Sequence, residues 1–210
     1  MSIEKRKKRA KEILRILKKL FPRTKVALIN WKNPWELLVA TILSAQTTDK
    51  KVNEVTTRLF KKYKKLDDYV NATQEEFEQD VKEIGLYRNK TKNILASAKL
   101  VKEKFGGKVP NTMEEILELP GVARKTGNIV LHNAYGIVEG IAVDTHVMRL
   151  SQRLGLSAHK NPVKIERDLM ELLPKKEWPE LNYRLVDYGR TYCAAKPHAH
   201  DKCPLNKFGA

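Results

Sequence analysis

Apolar residues recur at three- and four-residue spacing along nearly the whole chain, and the strict alternation of a half-buried strand is almost missing. That pattern points to an all-α fold. Ile13, Leu14, Ile16, Leu17 and Leu20 make one face of a helix over 10–20. In "WKNPWELLVATILSAQTT", Asn33 is placed to cap and Pro34 suits the first helical position. The run that follows is apolar nearly all round, which predicts a central helix. Another helix starts at Asp49, with Val52, Val55, Leu59 and Phe60 facing inward. Further helices are expected near 74–84, 87–104, 112–118, 122–135, 144–155, 162–173 and 178–192. Gly85, Gly106-Gly107, Pro110, Pro120, Gly140 and Pro174 punctuate them.

Lysine and arginine number 41 against 25 acidic residues, a formal net charge of +16. Surfaces rich in both signs usually balance them, and this one does not. An anionic partner is therefore expected, most simply nucleic acid. No apolar run reaches the roughly 18 residues of a membrane span. The basic N-terminal stretch lacks the apolar core and cleavage site of a signal peptide. The expectation is a soluble, cytoplasmic protein without a membrane partner. Two cysteines, Cys193 and Cys203, are too few for a disulfide scaffold.

The stretch "ELPGVARKTGNIVL" (118–131) is unusual. A Pro-Gly turn hands over directly to a helix whose first turn carries Arg124 and Lys125. Cations are disfavoured there, because unpaired N–H groups and the helix dipole already make that end positive. With the short helix before it, "LPGV" makes a helix–hairpin–helix in which Gly121 supplies the backbone freedom. The N–H groups opening the second helix then face outward and can receive a phosphate. An arriving phosphodiester explains both cations. Nineteen residues after Lys125, in "IAVDTHVMRLSQRLGL", Asp144 follows an apolar segment and precedes a helix. Taken alone it reads as an N-cap worth about 1 kcal/mol.

Together these segments resemble the endonuclease III family of helix–hairpin–helix DNA glycosylases. "PWELLVATILSAQTTD" and "EIGLYRNKTKNI" resemble it too, in the same order, so the likeness spans roughly residues 10–195. It implies two helical domains with a DNA-binding, base-accepting cleft between them. One is a six-helix bundle over 27–137; the other joins 1–26 to 138–210 and carries Asp144. Lys125 matches the family's nucleophile and Asp144 its carboxylate. A lysine amine must be neutral to attack C1′, and partial desolvation, the helix N-terminus and Arg124 all favour that form. A carboxylate stabilises the positive charge that develops on the sugar. The implied activity is a DNA N-glycosylase and AP lyase that removes oxidised pyrimidines and nicks the strand by β-elimination. A mismatch or alkylated-base glycosylase on the same fold, or a non-catalytic DNA-binding protein, are the alternatives. The partner is double-stranded DNA bearing damaged bases or abasic sites, bound by a monomer.

The resemblance also assigns DNA-contacting positions. Gln46 matches the residue that fills the hole left by an extruded base, and Leu86 the wedge that props the stack; otherwise they read as a helix-end polar residue and a core leucine. His146 aligns near the lesion phosphate. Leu119, Gly121, Ala123 and Arg124 belong to the hairpin surface, and the carbonyls of Leu117, Leu119 and Val122 are expected to hold an alkali ion when DNA binds. Ala123 replaces a second glycine usual in this hairpin. It is harmless if it begins the helix.

At the C-terminus, "YCAAKPHAHDKCPLNKFGA" departs from the family. Many members hold a [4Fe–4S] cluster there on four cysteines. Cys193 and Cys203 match the first and third, the second falls on His200, and the chain ends before a fourth. No cluster is expected and no cofactor is required. Cys193, His198, His200 and Cys203 form a Cys₂His₂ set, but their spacing is not a common finger pattern. A plain loop with two retained thiols, rather than zinc, is the expectation.

Overall fold

The computed structural model describes residues 2–209, and every regular element in that range is helical. The chain divides into two compact units, Val26–Glu139 and Met1–Lys25 together with Gly140–Ala210.

In the unit Val26–Glu139, α2 (Pro34–Ser44) is buried from Trp35 through Leu43. It packs on α3 (Asp49–Lys62), α6 (Tyr87–Lys104) and α8 (Arg124–Tyr135). This is the central helix that an unbroken apolar run demands. Its start is fixed locally: Asn33 Oδ1 accepts from Glu36 N at 2.9 Å, and Glu36 Oε2 accepts from Lys32 N at 2.6 Å. Around it, α3 is capped by Thr48 and α5 (Gln74–Val81) by Thr73. One turn was not foreseen, α4 (Leu66–Val70), and the short helix of the hairpin, α7, narrows to Met113–Ile116. Trp35, Tyr63, Tyr69 and Phe77 form a chain of ring contacts 5.1–5.8 Å between centroids.

In the other unit, α1 runs Ile3–Leu20, two turns earlier than its apolar spacing suggested. It packs on α10 (Pro162–Leu172) and α11 (Trp178–Thr191), and α9 (Thr145–Arg153) packs on the same two. Ile13 and Leu17 are at 1% and 0% exposure in a core shared with Val147, Leu150, Leu169 and Leu185. Burying such a side chain contributes about 2 kcal/mol. The charged first turns of α1 are tied down by arginines in addition to the packing of Ile3 and Ala10 on this core. Arg6 donates to Leu156 O at 2.6 Å and pairs with Asp168 at 3.2 Å. Arg9 donates to Phe208 O at 3.1 Å. No helix among the described residues is long and apolar enough to cross a membrane.

Candidate functional site

The hairpin closes on itself by Leu119 N donating to Ile116 O at 3.3 Å and Val122 N to Leu119 O at 3.1 Å. Gly121 sits at φ +80°, the left-handed region that a side chain strains. A Cβ there would also lie 2.8 Å from Asn93 Nδ2, so α6 presses the turn from behind. Ser97 Oγ on the same helix donates to Pro120 O at 3.0 Å. Ala123 is the extended residue before α8, with φ −104° and ψ 171°, where alanine costs nothing. It makes no side-chain cap, and the first turn of α8 holds no acidic residue. Arg124 and half-buried Lys125 thus open a helix whose N-cap makes no side-chain bond and whose own first turn carries no acidic residue. Gly127, one turn in, lets α8 close on α7: a Cβ would meet Met113 Sδ at 2.9 Å.

Gln46 and Leu86 also belong to this unit, and the structure brings their backbones together. Both are left-handed, at φ 54° and 59°, and are the non-glycine residues so placed among those described. A Cβ on Gly85 would lie 3.2 Å from Gln46 O, so the two turns touch. Leu86 is 60% exposed, which excludes the core-leucine reading. An exposed leucine thus stands on a left-handed backbone that its turn imposes.

Sequence reasoning missed Lys90. Its Nζ is buried and donates to Leu43 O at 2.8 Å, to Ala45 O at 2.5 Å and to Thr47 Oγ1 at 3.2 Å. The three acceptors straddle Gln46, so one ammonium ties the loop to α6. Burial pushes this lysine down to about 8. The available signal was position: Lys90 lies four residues before Ile94 and eight before Ala98, on the buried stripe of α6.

In the other unit, Asp144 is the N-cap of α9, its Oδ1 accepting from Val147 N at 2.9 Å. The strand-like approach to it is buried at Ile141, Ala142 and Val143. Ile141 N donates to Glu166 Oε1 at 3.3 Å, and Ala142 O accepts from Asn182 Nδ2 at 2.8 Å. Helices α10 and α11 thereby fix where the carboxylate stands. His146 lies against α11 at Gly189, where an added Cβ would come within 2.5 Å of Nδ1.

A cavity of about 730 Å³ in the unit Val26–Glu139 is lined by Trp35, Tyr63, Phe105 and Tyr135 and contains none of these residues. At the C-terminus, one donor atom from each of Cys193, His198, His200 and Cys203 lies within 4.8 Å of all the others. The sequence offered these four as a Cys₂His₂ set of uncommon spacing and favoured a plain loop; the structure brings their donor atoms together.

Residues 39–175 match the model of the HhH-GPD superfamily of base excision DNA repair proteins. Endonuclease III of Synechocystis sp. is 48% identical over 200 residues, covering 95% of this chain and 91% of that protein. Endonuclease III of Bacillus subtilis is 48% identical over 187 residues, covering 89% and 84%. Among solved structures, a trapped endonuclease III–DNA covalent intermediate superposes with a TM-score of 0.91 at 41% identity, covering 100% of this chain and 96% of that one. With the all-helical architecture, the Gly121 hairpin and matches along nearly its whole length, the chain belongs to the endonuclease III family of base excision repair DNA glycosylases and AP lyases.

Proposed function

We propose that this chain excises oxidised pyrimidines from double-stranded DNA and nicks the strand, with Lys125 as nucleophile and Asp144 as the stabilising carboxylate. The observation that carries this reading is the lysine on the uncapped, acid-free start of α8, directly behind the Gly121 turn. A phosphate received by the N–H groups at that end supplies the missing negative charge and sets the sugar beside the amine. Neutral Lys125 Nζ attacks C1′ while the damaged base leaves with the bonding pair and takes up a proton. Asp144 offsets the positive charge on the sugar as that bond breaks. Loss of the C1′–O4′ bond gives the imine. A C2′ proton then departs, the electron pair expels the 3′ phosphate, and hydrolysis of the imine frees Lys125.

Gln46 fills the space the base vacates, Leu86 wedges the opened stack, and Arg124 and His146 contact phosphates. The hairpin carbonyls of Leu117, Leu119 and Val122 hold an alkali ion against the backbone. Extrusion costs a few kcal/mol, which the two fillers partly offset. The protein acts as a monomer in the cytoplasm, on chromosomal DNA. A [4Fe–4S] cluster does not fit this chain, whose C-terminal donors are two thiols and two imidazoles packed within 4.8 Å.

Borohydride reduction on a duplex with one abasic site tests the nucleophile. We expect a covalent protein–DNA adduct that Lys125→Ala abolishes. An adduct at full yield in that variant, or base release from a thymine glycol duplex with an intact abasic strand, overturns the reading.

A further inference from the structure

We propose that Cys193, His198, His200 and Cys203 bind a single structural Zn²⁺ ion. The inference rests on this cluster alone and is independent of how the chain acts on DNA. Around tetrahedral zinc, with Zn–S of about 2.3 Å and Zn–N of about 2.0–2.1 Å, neighbouring ligand atoms stand about 3.3–3.8 Å apart. Cys203 Sγ lies 3.4 Å from His198 Nε2 and 3.6 Å from His200 Nδ1. All four donors fall within 4.8 Å of one another. The shell therefore has the size of one ion, whereas a cubane spreads its ligands over four separate metals.

Local structure explains how so tight a spacing succeeds. Cys193 follows the end of α11 and is fully buried. The chain loops out and returns through a 3₁₀ turn, His200–Lys202, closed by Cys203 N donating to His200 O at 2.9 Å. That turn sets His200 and Cys203 side by side. His198 arrives with its tautomer decided: Nδ1 lies 2.8 Å from Lys196 O, and a carbonyl only accepts. Nδ1 thus carries the hydrogen and Nε2 turns its lone pair to the cluster, the arrangement of metal-bound histidines. Beside Cys193, Arg149 donates to its carbonyl at 2.7 Å and points Nη1 at its sulfur at 3.6 Å. A guanidinium there can offset part of the charge of a metal-bound sulfur.

Two thiolates and two imidazoles leave Zn²⁺ neutral overall, which suits a site whose cysteines are 0% and 5% exposed. All four positions come from the protein, so no place remains for water or substrate, and the ion is structural. It ties a tail whose regular elements are 3₁₀ turns to the end of α11. Cys203 Sγ donates to Tyr192 O at 3.0 Å, a bond that coordination displaces.

The test is metal analysis of the untagged full-length protein, as isolated and after reconstitution with zinc under reducing conditions. We expect about one zinc per chain, displaced by Co²⁺ with the intense visible bands of a tetrahedral thiolate site. Chelation lowers Tm, and zinc but not magnesium restores it. Because Cys203→Ser in the buried core can unfold the tail, His198→Gln at a half-exposed position is the second variant. It weakens zinc binding at least tenfold with an unchanged far-UV spectrum, while His159→Ala retains full zinc. Less than a tenth of an equivalent after reconstitution overturns the proposal. So does iron with acid-labile sulfide in place of zinc, or a Cys193–Cys203 disulfide in protein that accepts no zinc after reduction.

Discussion

The ammonium of Lys90 donates to the carbonyl oxygen of Leu43 at 2.8 Å, and in doing so anchors the loop that presents Gln46. Burial pushes Lys90 down to about 8, while in the unfolded chain it keeps its ordinary value of 10.5. Below about 8 both states hold the proton, and the full cost of burying the charge is present. Between about 8 and 10.5 the unfolded chain still holds a proton that the native state has released, so stability rises with pH. At roughly 1.4 kcal/mol per unit, wild type should gain about 3 kcal/mol relative to Lys90→Met across that window. Urea melts of both proteins at pH 7, 8, 9 and 10.5 read the difference. A constant gap contradicts it.

Asp144 has two duties that substitution can separate. Asn keeps an oxygen for Val147 N, so Asp144→Asn should leave stability within about 0.5 kcal/mol, whereas Asp144→Ala should cost about 1 kcal/mol. Both remove the charge, and both should slow base excision by roughly 10²–10³-fold. Thermal melts paired with single-turnover excision distinguish the effects. Normal excision by Asp144→Asn would remove the carboxylate from the proposed chemistry.

The hairpin makes unequal demands on its two small residues. Gly121→Ala must place a Cβ at φ +80° and within 2.9 Å of Asn93 Cβ, which predicts a loss of about 1–3 kcal/mol and weaker binding to abasic duplex. Ala123→Gly, at an extended residue, should change stability by only a few tenths. Equal tolerance at both positions would contradict the strained turn.

If the start of α8 receives a phosphate, Arg124→Ala should weaken binding to every duplex alike. The slope of log K against log salt should become shallower by about 0.9. Titrations of an abasic and an undamaged duplex at several salt concentrations measure both quantities. A loss confined to the abasic duplex would mean that Arg124 reads the lesion instead.

Much of this was legible in the residues, for physical reasons that differ by element. Asn33-Pro34 announced the start of α2 because capping chemistry is local, and Asp49 opened α3 for the same reason. The five residues of α4 went unseen because they are too few to display a period. The first turns of α1 went unseen because Arg6 and Arg9 secure them through carbonyls and a carboxylate contributed more than 140 residues away. Ala123 could be judged in advance, since its neighbour Gly121 already provided the one turn that needs glycine. Cys193, His198, His200 and Cys203 were named as a Cys₂His₂ set but set aside for their spacing, because only a folded 3₁₀ turn reveals that close spacing can converge. Lys90 was hidden by its type, since a lysine in a basic chain reads as surface until its place on the stripe is checked.

The left-handed backbone at Gln46 and Leu86 has an evolutionary corollary. Glycine would relieve roughly 1–2 kcal/mol of torsional discomfort at either place, so selection for heat resistance alone would be expected to install it. This chain instead carries two bulky residues there, both exposed and of no service to the core. On the proposed reading, these are the places where durability yields to contact with the opened duplex.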